Sequence, residues 1–126
     1  MMLYLDNAAT TLKKPLSVYA TLFKSTLFSG GNAGRGGHKM SMDAVRAIVD
    51  TQDLIAQLFN IKKAENIVFT QNATYALNTA ILGTMSNGGH IVVTEMDHNS
   101  VLRPACLPGN YTVVKADKSG YVHAED

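Results

Sequence analysis

The sequence predicts an α/β fold in which helices flank a mostly parallel sheet. Short apolar runs alternate with longer segments whose apolar residues recur at helical spacing, and this alternation is typical of parallel α/β proteins. Apolar residues make up 46% of the 126 positions, which is enough for a hydrophobic core. The length fits one ordinary domain or a part of a larger one. The chain is therefore predicted to be a folded α/β unit rather than a disordered segment.

The first half of the chain predicts two helices separated by a loop. Pro15 suits the first turn of a helix that runs to about Phe28. Five of the nine residues at positions 29–37 are glycine, so this segment is predicted to be a loop with unusual backbone angles. A second helix is predicted from Ser41, with Ser41 as its N-cap, and its apolar stripe extends to Phe59.

The second half predicts three buried strands with helices between them. The strands are residues 67–69, 91–94 and 111–114. Helical spacing begins at Ala73, and Gly83 is predicted to close that helix. Residues 99–107 have room for one or two helical turns. Three strands make a small sheet, so we expect the chain to be a truncated piece of a larger fold.

Composition excludes several classes of function. The net charge is +1 and the basic residues are spread along the chain, so no nucleic-acid surface is predicted. No apolar run reaches the roughly 18 residues of a membrane span, and the N-terminus does not resemble a secretion signal. The single cysteine, Cys106, has no partner for an internal disulfide. These features predict a cytoplasmic protein that binds neither nucleic acid nor membrane.

The turn at residues 70–74 follows the predicted strand at 67–69 and precedes a helix. Ligands of parallel α/β sheets bind beyond the carboxyl ends of strands, where a helix start offers free N–H groups and its positive dipole end. Thr74 would add a hydroxyl donor, and Asn72 would take the left-handed conformation that tight turns use. The segment therefore predicts a phosphate-binding cup, with simple helix capping by Thr70 or Asn72 as the alternative.

His98 lies just beyond the predicted strand at 91–94, where a parallel sheet would bring it beside the 70–74 turn. A histidine in that place can stack on a flat ring or transfer a proton near neutral pH, and an ordinary surface loop is the alternative. The glycine-rich residues 32–38 contain neither GxGxxG after a strand nor GxxxxGK[ST], so they lack the nucleotide-binding fingerprints.

Four motifs in order resemble the start of class V aminotransferase-fold enzymes, most closely the branch of cysteine desulfurases and selenocysteine lyases. They are LDNAATT at 5–11, GNAGRGGH at 31–38, FTQNATYALN at 69–78 and TEMDHNSVLRP at 94–104. The resemblance extends from Tyr4 to about Gly120. It implies the N-terminal part of the large domain of a fold type I transferase that uses pyridoxal 5′-phosphate. Residues 1–15 would form a substrate-mouth segment, and residues 16–126 would begin the cofactor-binding domain.

The resemblance also implies roles for individual residues. It implies that Asn72, Ala73 and the Thr74 hydroxyl hold the cofactor phosphate, with Asn72 at positive φ where many relatives have glycine. It implies that the ring of His98 stacks on the pyridine ring of the cofactor and assists proton transfer. Five further residues would lie near the substrate mouth or the dimer partner: Asn7, Ala8, Ala9, Arg35 and His38.

Lys39 and Cys106 match no functional position of the family. Gly37-His38-Lys39 resembles the motif that carries the cofactor lysine, but it precedes the phosphate turn, so Lys39 is predicted to be a solvated surface residue. Cys106 lies away from the nucleophilic cysteine of the family and is predicted to be a buried or unreactive thiol. In the family, the cofactor lysine and the nucleophilic cysteine both lie downstream. We therefore expect an N-terminal fragment that is inactive alone and does not retain the cofactor.

For the whole enzyme, the resemblance implies removal of sulfur from L-cysteine, which yields alanine and an enzyme persulfide. Aminotransferase and selenocysteine lyase chemistry are the alternatives within the family. The resemblance also implies an amino-acid substrate, a homodimer and a sulfur-accepting partner protein. Two other classes compete: a non-enzymatic module that binds a partner chain, and a metal site. The metal site would use residues whose spacings match no known ligand pattern: His38, His90, Asp97, His98 and His123.

Overall fold

The computed structural model describes residues 3–124, which form four α-helices, one short 3-10 helix and two strands. The helices are α1 (Leu16–Phe28), α2 (Lys39–Leu58), α3 (Ala73–Met85) and α4 (Asn99–Cys106), with the 3-10 helix at Ala64–Asn66. The strands are β1 (Ile91–Thr94) and β2 (Tyr111–Val114). The chain divides into two compact units, of which unit 1 ends at Ile67 and unit 2 begins at Val68. The predicted functional division after residue 15 stays a prediction.

Helix α2 in unit 1 begins two residues earlier than predicted, and its N-cap is His38 rather than Ser41. Nδ1 of His38 accepts a hydrogen bond from the Ser41 backbone N–H at 3.4 Å. Ser41 is fully buried within the first turn, so its hydroxyl is not available to cap the helix. The prediction failed because serine is the commoner N-cap, whereas here the histidine ring satisfies the free amide.

The glycine-rich loop is hydrogen-bonded to the first turn of α2 and packs closely against it. The Ser41 hydroxyl donates to the backbone carbonyl of Asn32 at 2.8 Å, and it lies 3.2 Å from Nε2 of His38. Gly31 passes so close that an added Cβ would lie 2.3 Å from the backbone carbonyl carbon of Met40. The loop at this point therefore requires a residue without a side chain.

Unit 2 contains a β-α-β arrangement, as the sequence predicted. Strands β1 and β2 pair in parallel, with Ile91 opposite Tyr111 and Thr94 opposite Val114. Helix α4 connects the two strands and contacts both β1 and α3. The buried centre consists of Val93, Pro104 and Ala105, which are at most 5% exposed. Because β1 ends at Thr94 and α4 begins at Asn99, the β-α-β arrangement positions the loop before α4 at the carboxyl edge of the sheet.

Residues 67–69 do not form the strand that their apolar character predicted. Their backbone has no regular secondary structure, and no strand within residues 3–124 pairs with them. The carbonyl of Ile67 instead accepts a hydrogen bond from the side chain of Gln52 at 2.7 Å. Val68 is 76% exposed and Phe69 is 50% exposed. Since a strand is defined by its ladder partner, an apolar run alone does not create one.

Helix α3 continues through Gly83, which was predicted to close it. The helix ends at Met85, and the Gly88 amide then donates to the Met85 carbonyl at 3.0 Å. Gly88 has φ +83°, the left-handed conformation that terminates helices. Gly83, Gly88 and Gly89 all lie near this end of the helix. The sequence does not show which of them adopts the left-handed conformation after the last helical turn.

A turn near the C-terminal end is organised by the carboxylate of Asp117. It accepts hydrogen bonds from the Ser119 hydroxyl, the Ser119 amide and the Tyr121 amide at 2.6 to 3.0 Å. Nε2 of His123 lies 3.2 Å from the same carboxylate. These donors, the Ser119 hydroxyl first among them, lower the pKa of Asp117 to about 2.

We expect this turn to lose stability in acid. Because the pKa of Asp117 is lower in the folded chain than in the unfolded chain, its contribution is complete above about pH 4 and disappears as the pH falls through about 2. Ser119→Ala should raise the pKa of Asp117, as measured by carboxyl ¹³C shifts during a pH titration. Ser86→Ala is the control, because the Ser86 hydroxyl bonds only the Gly83 carbonyl. An unchanged titration in Ser119→Ala would contradict the assignment.

Candidate functional site

Unit 2 contains an open cleft of about 330 Å³ between the first turns of α3 and α4. Two of the predicted cofactor residues, Thr74 and His98, line this cleft together. Its lining residues are Thr74, Asn78, His98, Asn99, Ser100 and Arg103. The contact of α4 with α3 brings the two helix starts together, although they are 26 positions apart along the chain from Ala73 to Asn99. The sequence predicted that these two motifs would lie side by side next to a strand at 67–69, and the structure brings them together through the contact of α4 with α3 instead.

Asn72 caps α3 and does not adopt the predicted left-handed conformation. Its φ is −165° and its ψ is 171°, which is extended backbone, and its side-chain oxygen accepts from the Tyr75 amide at 3.0 Å. The capping alternative is therefore what the structure contains. An extended N-cap places its side chain over the helix start, and asparagine does this without positive φ. The side-chain oxygen of Asn72 already has this partner.

The amides of Ala73 and Thr74 are the free donors at this helix start. Among residues 3–124, neither amide donates to another group, whereas the Tyr75 and Ala76 amides both bond to Asn72. The Thr74 side chain is exposed, and its hydroxyl makes no hydrogen bond to a described residue. Two amides, one hydroxyl and the positive end of the α3 dipole therefore converge on the solvent beside Thr74. This is a suitable donor set for a phosphate group.

His98 is the N-cap of α4, on the other side of the cleft. Nδ1 of His98 accepts from the Ser100 amide at 3.1 Å and lies 2.9 Å from the Ser100 hydroxyl. His98 as a whole residue is exposed. A planar side chain anchored at one edge leaves a free face, which is what stacking on an aromatic ring would require.

Arg103 adds a positive charge to the cleft, one turn after Asn99 on α4. The six lining residues include no carboxylate, so the cleft favours an anion. Asn78, one turn after Thr74, donates its side-chain amide to the Thr74 carbonyl at 2.8 Å. The sequence interpretation missed both Asn78 and Arg103. A helical spacing of four residues from Thr74 and from Asn99 was the signal that could have found them.

The predicted substrate-mouth residues all lie in unit 1. Asn7 lines an open cavity of about 250 Å³ together with Tyr4, Leu12 and Lys13. The Tyr4 hydroxyl bonds the Asp6 and Thr10 carbonyls and so shapes the turn that contains Ala8 and Ala9. Arg35 is exposed in the glycine-rich loop, and His38 caps α2. Their predicted role at the substrate mouth stays a prediction.

Lys39 is a surface residue, as predicted. Its side chain is 87% exposed and forms an ion pair with Asp43 at 2.7 Å. The hydrogen bond from Lys39, with its charge and that of Arg46, holds the pKa of Asp43 below its usual value. Lys39 therefore has a partner on its own helix and a solvated environment.

Cys106 is exposed, so the first alternative of the prediction, a buried thiol, is wrong, and the second, an unreactive thiol, stays a prediction. It is the last residue of α4, directly after the fully buried Ala105, so it lies where the helix leaves the core. A hydrogen bond with the Cys106 side chain raises the pKa of Tyr111. Helical spacing alone did not separate the buried Ala105 from its exposed neighbour.

Neither a metal-binding cluster nor a membrane-spanning helix is found within residues 3–124. No group of three or more His, Cys, Asp or Glu side chains is arranged to hold a metal ion in this range. The helices described here are also too short or too polar to cross a bilayer.

Comparisons with known proteins agree with the family that the motifs resemble. A probable cysteine desulfurase of Aeropyrum pernix is 39% identical over 105 residues, which cover 80% of this chain and 25% of the relative. A probable cysteine desulfurase of Synechocystis sp. is 34% identical over 107 residues, which cover 82% of this chain and 25% of the relative. The chain thus spans about a quarter of the length of these curated relatives.

The fold has a close match among solved structures. A structure described as a NifS-like protein aligns with a TM-score of 0.81 and 22% identity, covering 99% of this chain and 36% of that one. This likeness confirms the predicted α/β transferase fold. Residues 3–122 match the family Aminotransferase class-V. This range contains all four motifs described in the sequence analysis. The chain therefore belongs to the class V aminotransferase family.

Proposed function

We propose that this chain supplies the phosphate-binding part of a pyridoxal-phosphate-dependent cysteine desulfurase. Enzymes of this family depend in general on pyridoxal 5′-phosphate, act on amino acids and are typically dimers. The observation that carries the proposal is the cleft in which Thr74 and its free amides lie across from His98. We also propose that the whole enzyme acts on an amino-acid substrate, forms a homodimer, transfers sulfur to an acceptor protein and is located in the cytoplasm.

The described residues would divide the work of holding the cofactor. The Ala73 and Thr74 amides and the Thr74 hydroxyl would donate to the phosphate oxygens, and the α3 dipole would favour their negative charge. The exposed face of His98 would lie against the pyridine ring. Arg103 would raise the local concentration of the anion. When bound, the cofactor supplies an electron sink that the protein itself lacks.

Cysteine is the proposed substrate because the curated relatives reported above carry the name cysteine desulfurase. The chemistry would break the bond between carbon and sulfur and transfer the sulfur to a nucleophilic cysteine. We do not assign that role to Cys106, because its position differs from the nucleophile of the family. Lys39 is likewise not assigned to the cofactor, because it pairs with Asp43 at 2.7 Å. The chain alone is expected to release no sulfide from cysteine.

The proposal is tested by titrating the ¹⁵N-labelled chain with pyridoxine 5′-phosphate and with pyridoxine, because amide shifts detect binding that is too weak for the chain to retain the cofactor. Neither ligand has the aldehyde that labels surface lysines, and the two differ only in the phosphate. Pyridoxine 5′-phosphate should shift the amide resonances of Ala73 and Thr74, and pyridoxine should leave them in place. The free phosphate-binding amides of the α3 start are the physical reason.

Two results would contradict the proposal. Equal responses to both ligands would show that the phosphate is not recognised at α3. Shifts confined to other residues would move the anion site elsewhere and would favour the rival class of partner-binding modules.

A further inference from the structure

His98 and His38 are both N-caps, and both accept a hydrogen bond from a backbone amide two or three residues ahead. Ser100 donates to Nδ1 of His98 at 3.1 Å, and Ser41 donates to Nδ1 of His38 at 3.4 Å. Ser, Thr, Asp and Asn are the usual N-caps. A histidine cap differs from those residues because its neutral ring exists in two tautomers, with the proton on either Nδ1 or Nε2.

The hydrogen bonds of His98 determine which tautomer is present. A backbone N–H can only donate, so Nδ1 must offer its lone pair to the Ser100 amide. The Ser100 hydroxyl, 2.9 Å from the same nitrogen, must also donate, because an unprotonated Nδ1 has no proton to give. In the neutral ring the proton is then on Nε2.

Ser100 is well placed to impose this choice. It is 9% exposed and lies in the first turn of α4, whose later residues Pro104 and Ala105 are among the most buried in the chain. A buried hydroxyl needs a partner, and Nδ1 of His98 is the acceptor that the Ser100 hydroxyl has. The ring orientation is thus set by a residue whose own position is fixed by packing.

His38 shows what is particular about His98. The same logic places the proton of neutral His38 on Nε2, but that N–H is used by the Ser41 hydroxyl at 3.2 Å, which in turn donates to Asn32. Nε2 of His98 makes no hydrogen bond to any residue in the described range 3–124, and the ring lines the cleft. Of these two caps, His98 is the one that keeps a polar N–H available.

We propose that Ser100 is a positioning residue that holds neutral His98 in the Nε2–H form. The ring then offers the cleft a hydrogen-bond donor and no acceptor. Its partner would be an oxygen or another electron-rich atom of the bound molecule, and His98 could not accept a proton at Nε2 without first releasing one. The catalytic meaning of this arrangement rests on the function proposed above, whereas the tautomer itself does not.

The tautomer is measured by long-range ¹H–¹⁵N correlation spectra of the imidazoles in the ¹⁵N-labelled chain at about pH 8, where histidine is neutral. His98 should show an unprotonated Nδ1 and a protonated Nε2. His90 is an internal reference for the opposite form, because its Nδ1 lies 2.7 Å from the Asn110 side-chain oxygen and its Nε2 lies 2.8 Å from the Thr112 hydroxyl. A His98 pattern like that of His90 would overturn the proposal.

Variants of Ser100 test the role of its hydroxyl. Ser100→Ala should move the Nδ1 resonance of His98 towards the average of two exchanging tautomers, and Ser100→Thr should restore the original position. Ser86→Ala, which removes an exposed hydroxyl distant in sequence, should change nothing. If Ser100→Ala retains the original His98 pattern, the positioning role is wrong.

The outcome is separable from that of the proposed function. A chain that shows the Nε2–H pattern but fails to distinguish pyridoxine 5′-phosphate from pyridoxine would retain the Ser100 role and lose the cofactor site. A chain that binds the phosphate at Thr74 while His98 exchanges freely between tautomers would retain the cofactor site and lose the Ser100 role.

Discussion

Thr74→Val is expected to weaken binding of pyridoxine 5′-phosphate by about 5- to 150-fold, which corresponds to roughly 1–3 kcal/mol. The substitution keeps the branched shape of the side chain and removes only its hydroxyl donor. Hydrogen bonds to a charged acceptor are stronger than neutral ones, so one lost bond to a phosphate has an effect of this size. The ratio of dissociation constants comes from titrations of the two ¹⁵N-labelled proteins.

Thr79→Val is the matched control for this experiment. Thr79 is also an exposed residue of α3, but its hydroxyl donates to the Tyr75 carbonyl of its own helix at 2.8 Å. Its replacement should change the affinity less than twofold, because a bond within the helix faces no ligand. If Thr74→Val and Thr79→Val bind the phosphate equally well, the Thr74 hydroxyl has no part in the site.

Gly31→Ala is expected to destabilise unit 1 by about 1–3 kcal/mol, in the range of an overpacked site. The new Cβ would lie 2.3 Å from the Met40 carbonyl carbon and 2.6 Å from the Ser41 amide nitrogen. These are backbone atoms of the first turn of α2, so no side chain can rotate away. The loop would have to move, and the bond from the Ser41 hydroxyl to Asn32 would stretch. Urea unfolding followed through the α2 amide resonances measures the loss.

Gly37→Ala is the control for the loop. An added Cβ at Gly37 meets nothing within 4 Å, and the backbone there is not left-handed. Alanine should leave the stability unchanged or raise it by about 0.4–1 kcal/mol, because it restricts the unfolded chain. Equal stabilities of Gly31→Ala and Gly37→Ala would mean that the close approach of the loop to α2 is not maintained in solution.

The secondary structure was largely predictable because it depends on local features. The apolar stripes and Pro15 predicted α1 and α3 close to their observed ranges, and the β-branched runs predicted β1 and β2. Residues 67–69 have the same apolar character as β1, yet they form no strand. The difference is that β1 pairs with β2, whereas no described strand pairs with residues 67–69. Pairing between segments that are distant along the chain cannot be predicted from the composition of either segment.

The residues of the candidate site were likewise only partly predictable from the sequence. The motifs identified Thr74 and His98, since a helix start after an apolar run has a recognisable sequence, and the expected parallel sheet placed the two side by side. Asn78, Ser100 and Arg103 were missed, because each becomes part of the cleft only when α4 contacts α3. The conformation of Asn72 was predicted wrongly, since its choice between positive φ and an extended cap depends on whether its side chain reaches the Tyr75 amide.

By itself, the sequence determined the family, the alternation of helices and strands, and the two motifs that line the cleft. These are encoded in residues that are neighbours along the chain, where periodicity and turn preferences act. The tertiary structure alone decided that the two helix starts meet through the contact of α4 with α3, without a strand at 67–69, and which further side chains line the cleft. Those features depend on distances between atoms a few ångströms apart, and only packing of α3, α4 and β1 determines such distances.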